Sequence, residues 1–176
     1  MTYLERNRDL RYDIRLLVPG AQTVIVGLLT FEHCGHDYHR AVKSKLYELE
    51  AALHPQVAET QHIFCDSAPV LERRWAVEAG LGFIGRNHQL IHPTLGSLVH
   101  PGELVINEPI ELNLLNPLNP LSCAACTLCV AACPNHALDG EWDARQCQAY
   151  VTHKCLACQL ACPYNKKLEL SKNRKK

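Results

Sequence analysis

Eight of the ten cysteines in this 176-residue chain fall after residue 122, and their spacing leaves few folds open. The first run, Cys123, Cys126, Cys129 and Cys133 followed by Pro134, reads C-x2-C-x2-C-x3-C-P. The second places Cys147 ahead of a C-x2-C-x3-C-P ending made by Cys155, Cys158, Cys162 and Pro163. Three thiolates on one tight loop cap three irons of a cubane, while the cysteine before the proline reaches a different cluster. The pattern predicts two 4Fe-4S clusters with crossed ligands. Cys123, Cys126, Cys129 and Cys162 are assigned to one cluster, and Cys133, Cys147, Cys155 and Cys158 to the other. Zinc is the rival reading, but its knuckles pair two C-x2-C units and leave the interlocked Cys-Pro endings unexplained. Disulfides need an oxidising compartment, and no apolar signal segment opens the sequence.

Lys plus Arg and Asp plus Glu number 18 each, so net charge gives no argument for a nucleic-acid partner. No apolar run approaches the ~18 residues of a membrane span. A soluble cytoplasmic protein is expected, and thiolate-bound iron suits a reducing compartment. Residues 109–121, PIELNLLNPLNPL, break both helix and strand periodicity and read as a linker. The expected organisation is α+β: an α/β domain over 1–108, the linker, a small double-cluster domain over 122–165, and a basic tail over 166–176.

Within the first part, Thr23 to Leu29 is a β-branched apolar run, expected as a strand buried on both faces. Tyr38 to Leu53 places Val42, Leu46, Leu49 and Leu53 at helical spacing. His62 to Cys65 reads as a strand and Pro69 to Ala79 as a helix ended by Gly80. Gln89 to His92, Ser97 to His100 and Glu103 to Ile106 read as short strands, the last two parted by a Pro-Gly turn. GLGFIG over 80–85 lacks the strand-before, helix-after setting of a dinucleotide fingerprint. Short helices are expected to start near Cys133 and Cys162, because proline after each cysteine suits the first helical position.

Several segments outside the cysteines carry a family likeness. YLERNRDLRYDIRLLVPGAQTVIV, GHDYHR, CDSAPVLERRWAVEAGLGFIGRN, DARQCQAY and CLACQLACPYN occur in that order from Tyr3 to Asn165. Together they resemble the epoxyqueuosine reductases, cobalamin-dependent iron–sulfur enzymes that complete queuosine in tRNA. The resemblance implies a nitroreductase-like α/β domain that binds base-off cobalamin, followed by a ferredoxin-like domain. It also implies a tRNA anticodon loop as substrate and an external electron donor. A monomer is expected. Against the family pattern, the sequence lacks an N-terminal segment of several dozen residues and ends sooner after the second cysteine run. His36 stands where the GRDYH motif has arginine, and Arg86 where a lysine is usual.

The candidate catalytic residue is Asp66, at the end of an expected strand and before a turn into a helix, where a side chain faces a cleft. In the resembling family the matching aspartate lies over the cobalamin and is the presumed proton donor. Removing an epoxide oxygen as water takes two electrons and two protons, and the leaving oxygen must be protonated as its bond to carbon breaks. The bland reading is an Asp that bonds turn amides beside Ser67. On the family alignment Arg11, Leu90 and Pro101 border the corrinoid with Asp66. The D-x-H-x-x-G signature of base-on B12 proteins is absent. His33, Cys34, His36 and His39 fit no common zinc spacing, although the motif puts His36 near substrate or cofactor. Cys65 reads as a buried structural thiol. Arg6, Arg8, Arg11, Arg15 and the basic tail offer a phosphate-facing patch. Two rivals stay open: a corrinoid reductase of another substrate, related to reductive dehalogenases, and a non-catalytic electron-transfer module.

Overall fold

An antiparallel sheet of three strands, ordered β1-β5-β2, organises the N-terminal half. β1 is Thr23–Thr30, β2 His62–Phe64 and β5 Val99–Ile106. The computed structural model describes residues 6–34, 37–53, 62–110, 122–152 and 154–165. They fall into two compact units, one within Met1–Gly80 and Val99–Pro117, the other within Leu81–Leu98 and Leu118–Lys176. The fold is mixed α+β. A single cut after 108 does not describe this grouping, because 81–98 cluster with the cysteine-rich part. Most of the expected linker (residues 111–121) and all of the tail lie outside the described residues.

β5 is the buried centre of the first unit, and its side chains alternate between two cores. Leu104 and Ile106 pack with Val42 and Leu46 of the helix α3, Tyr38–Leu53. Val105 packs on the other face with Ile14, Val18, Ala21 and Val70. Ile14 belongs to α2 (Ile14–Leu17), capped by the Asp13 carboxylate and preceded by α1 (Arg8–Tyr12). The helix α4, Glu72–Glu78, adds Trp75 to this second core.

Two expectations need correction here. β1 is partly exposed along its whole length because it is an edge strand, paired among the described residues only with β5. Residues 99–106 form one continuous strand rather than two around a Pro-Gly turn. Pro101 is tolerated because β2 pairs with residues 103–105, which among the described residues leaves the proline in a half of β5 with one neighbour. Gly102 serves close approach: a Cβ there would lie 2.5 Å from Val42 Cγ1 and 3.0 Å from Leu46 Cδ1.

In the second unit β3 (Phe83–Ile84) pairs with β4 (Leu90–Ile91) as a short antiparallel hairpin. Three short helices follow, α5 Leu128–Ala131, α6 Gln148–Thr152 and α7 Ala157–Leu160. α5 and α7 precede Cys133 and Cys162 rather than start at them. Residues 163–165 are helical, with Pro163 at the first position, but no helix follows Cys133. A buried polar network ties the second cysteine run to residue 97. The Ser97 N–H donates to Asn165 Oδ1 at 2.7 Å, Asn165 Nδ2 donates to Ser97 Oγ at 2.9 Å, and Gln159 Nε2 donates to the Ser97 carbonyl at 2.6 Å. Both ends of the Asn165 amide, the Ser97 main chain and hydroxyl, and the Gln159 NH₂ meet partners, and bonded buried polar groups of this kind fix one arrangement. Among the described residues no helix is long and apolar enough to cross a membrane.

Candidate functional site

The turn that leaves β2 exposes one carboxylate, with a half-buried and a buried carboxyl group nearby. Asp66 has φ +54°, a left-handed conformation that aspartate tolerates better than most residues, and its side chain is exposed. The Tyr38 hydroxyl donates to Asp66 Oδ2 at 2.6 Å, and the Asp66 N–H donates to Glu72 Oε1. Tyr38 is itself held in a ring stack. It lies 4.0 Å from His100 and 3.9 Å from His39, centroid to centroid, with Phe31 against the far face of His100 at 4.3 Å. Burial, followed by the hydrogen bond to Asp66, keeps the Tyr38 phenol protonated well above its ordinary value. Burial lowers His100, which favours its neutral form.

Glu103 and Glu72 were not singled out from the sequence, and they set the electrostatics around Asp66. Glu103 faces the same side of β5 as Val105, is fully buried, and has no hydrogen-bond partner for either carboxylate oxygen among the described residues. Burial, then Glu72 and Asp66 nearby, pushes it up to about 9. Burial pushes Glu72 up to about 7, with Asp66 adding to the rise. An unpaired buried carboxyl keeps its proton, so Glu103 is proton-bearing at neutral pH, while Glu72 gains and loses its proton near neutrality. A charged residue opening the apolar run Leu104–Ile106 was the available sequence signal for Glu103. Glu72 stood in the DSAPVLER motif.

The other expected contacts separate. Pro101 lies near Asp66: its carbonyl accepts from Cys65 Sγ at 3.6 Å, and Cys65 is fully buried. Arg11 sits in α1 with a buried Nε that finds no acceptor among the described residues. Leu90 is 2% exposed, which leaves its main chain as the part able to meet a ligand. Cys34 is buried with its thiol on the Thr30 carbonyl at 3.2 Å, and His33 bonds Thr30 Oγ1 at 2.7 Å, so neither is poised as a metal ligand. His36 lies outside the described residues.

In the second unit Cys123, Cys126, Cys129 and Cys162 line one pocket, with Arg86, Asn87, Ile91, Pro163 and Tyr164 as the other walls. Its volume of about 50 Å³ is several times the ~10–15 Å³ that a water needs, room for an inorganic core larger than one ion. The Arg86 N–H donates to Cys123 Sγ at 3.4 Å, and Arg86 Nη2 donates to the Ala124 carbonyl at 3.0 Å. The remaining cysteines gather about Cys158. Burial pushes its thiol up to about 11, helped by Cys129, Cys147, Cys155 and Cys133. Thiols crowded in this way resist ionisation until a metal offsets their charge. Among the described residues no three or more His, Cys, Asp or Glu converge as a single-ion site, and a cubane, which spreads its ligands over four irons, does not require that.

No family model matches the chain. It is 33% identical to the epoxyqueuosine reductase of Cyclobacterium marinum over 94% of its own length and 66% of the relative's. It is 34% identical to that of Synechococcus sp. (strain CC9605), covering 88% of itself and 59% of the relative. Among solved structures, an epoxyqueuosine reductase with a tRNA-Tyr epoxyqueuosine-modified stem loop matches at TM-score 0.75 and 26% identity. That match covers 93% of this chain and 57% of that one. A selenomethionine-labelled epoxyqueuosine reductase matches at TM-score 0.75 and 25% identity. The chain is therefore built on a reductase scaffold, of which it spans about two thirds or less. It belongs to the epoxyqueuosine reductase family.

Proposed function

We propose that this chain reduces epoxyqueuosine to queuosine in the tRNA anticodon loop, removing the epoxide oxygen as water in the last step of queuosine biosynthesis. The observation that carries the reading is Asp66. It is exposed on a left-handed turn, held by Tyr38, and stands near the protonated Glu103 and near Glu72, whose burial raises it to about 7. An electron-transfer module has no use for such a carboxylate. In this reading the first unit is the nitroreductase-like, cobalamin-binding part and the cysteine runs form a ferredoxin-like part. Asp66 donates a proton to the leaving oxygen, and Tyr38 orients its carboxylate. The matches of DSAPVLER and DARQCQAY to the tRNA enzymes favour this substrate over that of a dehalogenase relative.

The donor sets suit the cofactors. Four thiols from two separate runs border one pocket, and Cys133, Cys147 and Cys155 stand near Cys158, which supports two 4Fe-4S clusters with crossed ligands. The unmatched Arg11 Nε is a donor for a ligand rich in acceptors, as a corrinoid's amide and phosphate periphery is, and Pro101 offers apolar contact beside Asp66. Bound cobalamin would supply a strongly reducing cobalt centre beside Asp66, and clusters held by the two cysteine sets would carry electrons to it from an external donor. The protein acts as a cytoplasmic monomer.

Binding is checked by loading anaerobically purified protein with cobalamin and recording electron paramagnetic resonance of the Co(II) form. Base-off binding with no protein histidine on cobalt gives a spectrum without nitrogen superhyperfine splitting. A nitrogen triplet contradicts the open lower face. Failure to bind cobalamin favours the electron-transfer module.

A further inference from the structure

One wall of the Cys123 pocket carries a donor that nothing accepts. Asn87 is 4% exposed, lines the pocket, and has a buried Nδ2 without a hydrogen-bond partner among the described residues. Its orientation is fixed by chemistry: the Gln89 N–H donates to Asn87 Oδ1 at 3.2 Å, and an N–H can be accepted only by the oxygen end of the amide. Gly85 makes room for that oxygen, since a Cβ at residue 85 would lie 2.9 Å from it. The bland reading is a turn asparagine, whose oxygen serves the loop before His88, itself at φ +56°. Aspartate would serve that turn equally well, so the turn does not account for the NH₂. A buried amide donor without an acceptor is costly enough to be rare. The neighbouring Arg86 N–H already points at Cys123 Sγ.

We infer that Asn87 donates an N–H···S hydrogen bond to the iron–sulfur cluster held by Cys123, Cys126, Cys129 and Cys162, and with the Arg86 N–H raises that cluster's reduction potential. The inference rests on the two-cluster reading above. Reduction adds negative charge that is shared with the sulfurs, and a hydrogen bond to sulfur stabilises the reduced form more than the oxidised one. Removing the donor makes that cluster harder to reduce and leaves the other unchanged.

The test uses the full chain reconstituted anaerobically with iron and sulfide, as wild type, Asn87→Asp and Asn87→Leu. Each is assayed for iron and titrated by electron paramagnetic resonance at controlled potential. Asn87→Asp keeps the oxygen for Gln89 and removes the donor; Asn87→Leu removes both. Both variants are expected to keep wild-type iron. One of the two midpoints should fall far enough to change the oxidised-to-reduced ratio about tenfold, ~59 mV for one electron. The fall is larger for Asn87→Asp, which also adds a negative charge. Unchanged midpoints in both variants overturn the inference. So does a shift in Asn87→Leu alone, which assigns the residue to the turn, and so does loss of iron from both, which makes it a scaffold for the cysteine loop. Wild type holding fewer than about eight irons instead contradicts the two-cluster reading itself.

Discussion

Asp66→Asn is expected to fold, carry both clusters and bind cobalamin, yet lose turnover of an epoxyqueuosine-bearing anticodon stem-loop by roughly a hundredfold or more, the usual contribution of a general acid. Asparagine keeps an oxygen for the Tyr38 hydroxyl, which reaches Asp66 Oδ2 at 2.6 Å, and keeps the main-chain N–H that meets Glu72. It also tolerates the left-handed φ of +54°. The substitution therefore removes the transferable proton and little else. A loss in kcat with cobalamin binding unchanged identifies an interaction made in the transition state. Turnover at the wild-type rate would make Asp66 a turn residue and pass the proton to Glu72, whose carboxyl is held at about 7 by burial.

Cys162→Ser is expected to lower the iron content from about eight to about four, since two cubanes hold four irons each. Cys162 is buried and borders the pocket with the three cysteines of the first run, although it lies in the second run. Its loss leaves Cys123, Cys126 and Cys129 as an incomplete set, while Cys133, Cys147, Cys155 and Cys158 remain whole. Iron analysis with electron paramagnetic resonance checks both halves of the claim. Loss confined to the cluster around Cys158 would refute the crossed pairing.

The parts of the fold that follow from local pattern were legible in the sequence. Tyr38–Leu53 is helical over the length its apolar spacing marks. β1 and β2 lie where β-branched and aromatic residues cluster. What depends on distant partners was hidden. Whether Thr23–Thr30 is central or at an edge is decided by pairing with residues 99–106, which its own composition does not encode. Pro101 and Gly102 look like a turn in sequence because the absence of a second neighbour at Pro101, and the approach of α3 to Gly102, are tertiary facts. At the site Asp66 was visible as a motif residue. The acids near it were not, because Glu103 stands out only once its burial leaves its carboxylate without a partner among the described residues. Asn87 is of the same kind, an ordinary loop residue until its Nδ2 is found enclosed beside four cysteines.

The central claim is tested most directly by mass spectrometry of the nucleosides released from an epoxyqueuosine-containing stem-loop. The stem-loop is incubated anaerobically with wild-type chain that carries cobalamin and both clusters, together with a low-potential one-electron donor. Conversion to queuosine, with loss of one oxygen and dependence on cobalamin, is the predicted result. Unchanged epoxyqueuosine from protein that demonstrably holds cobalamin and about eight irons would contradict it.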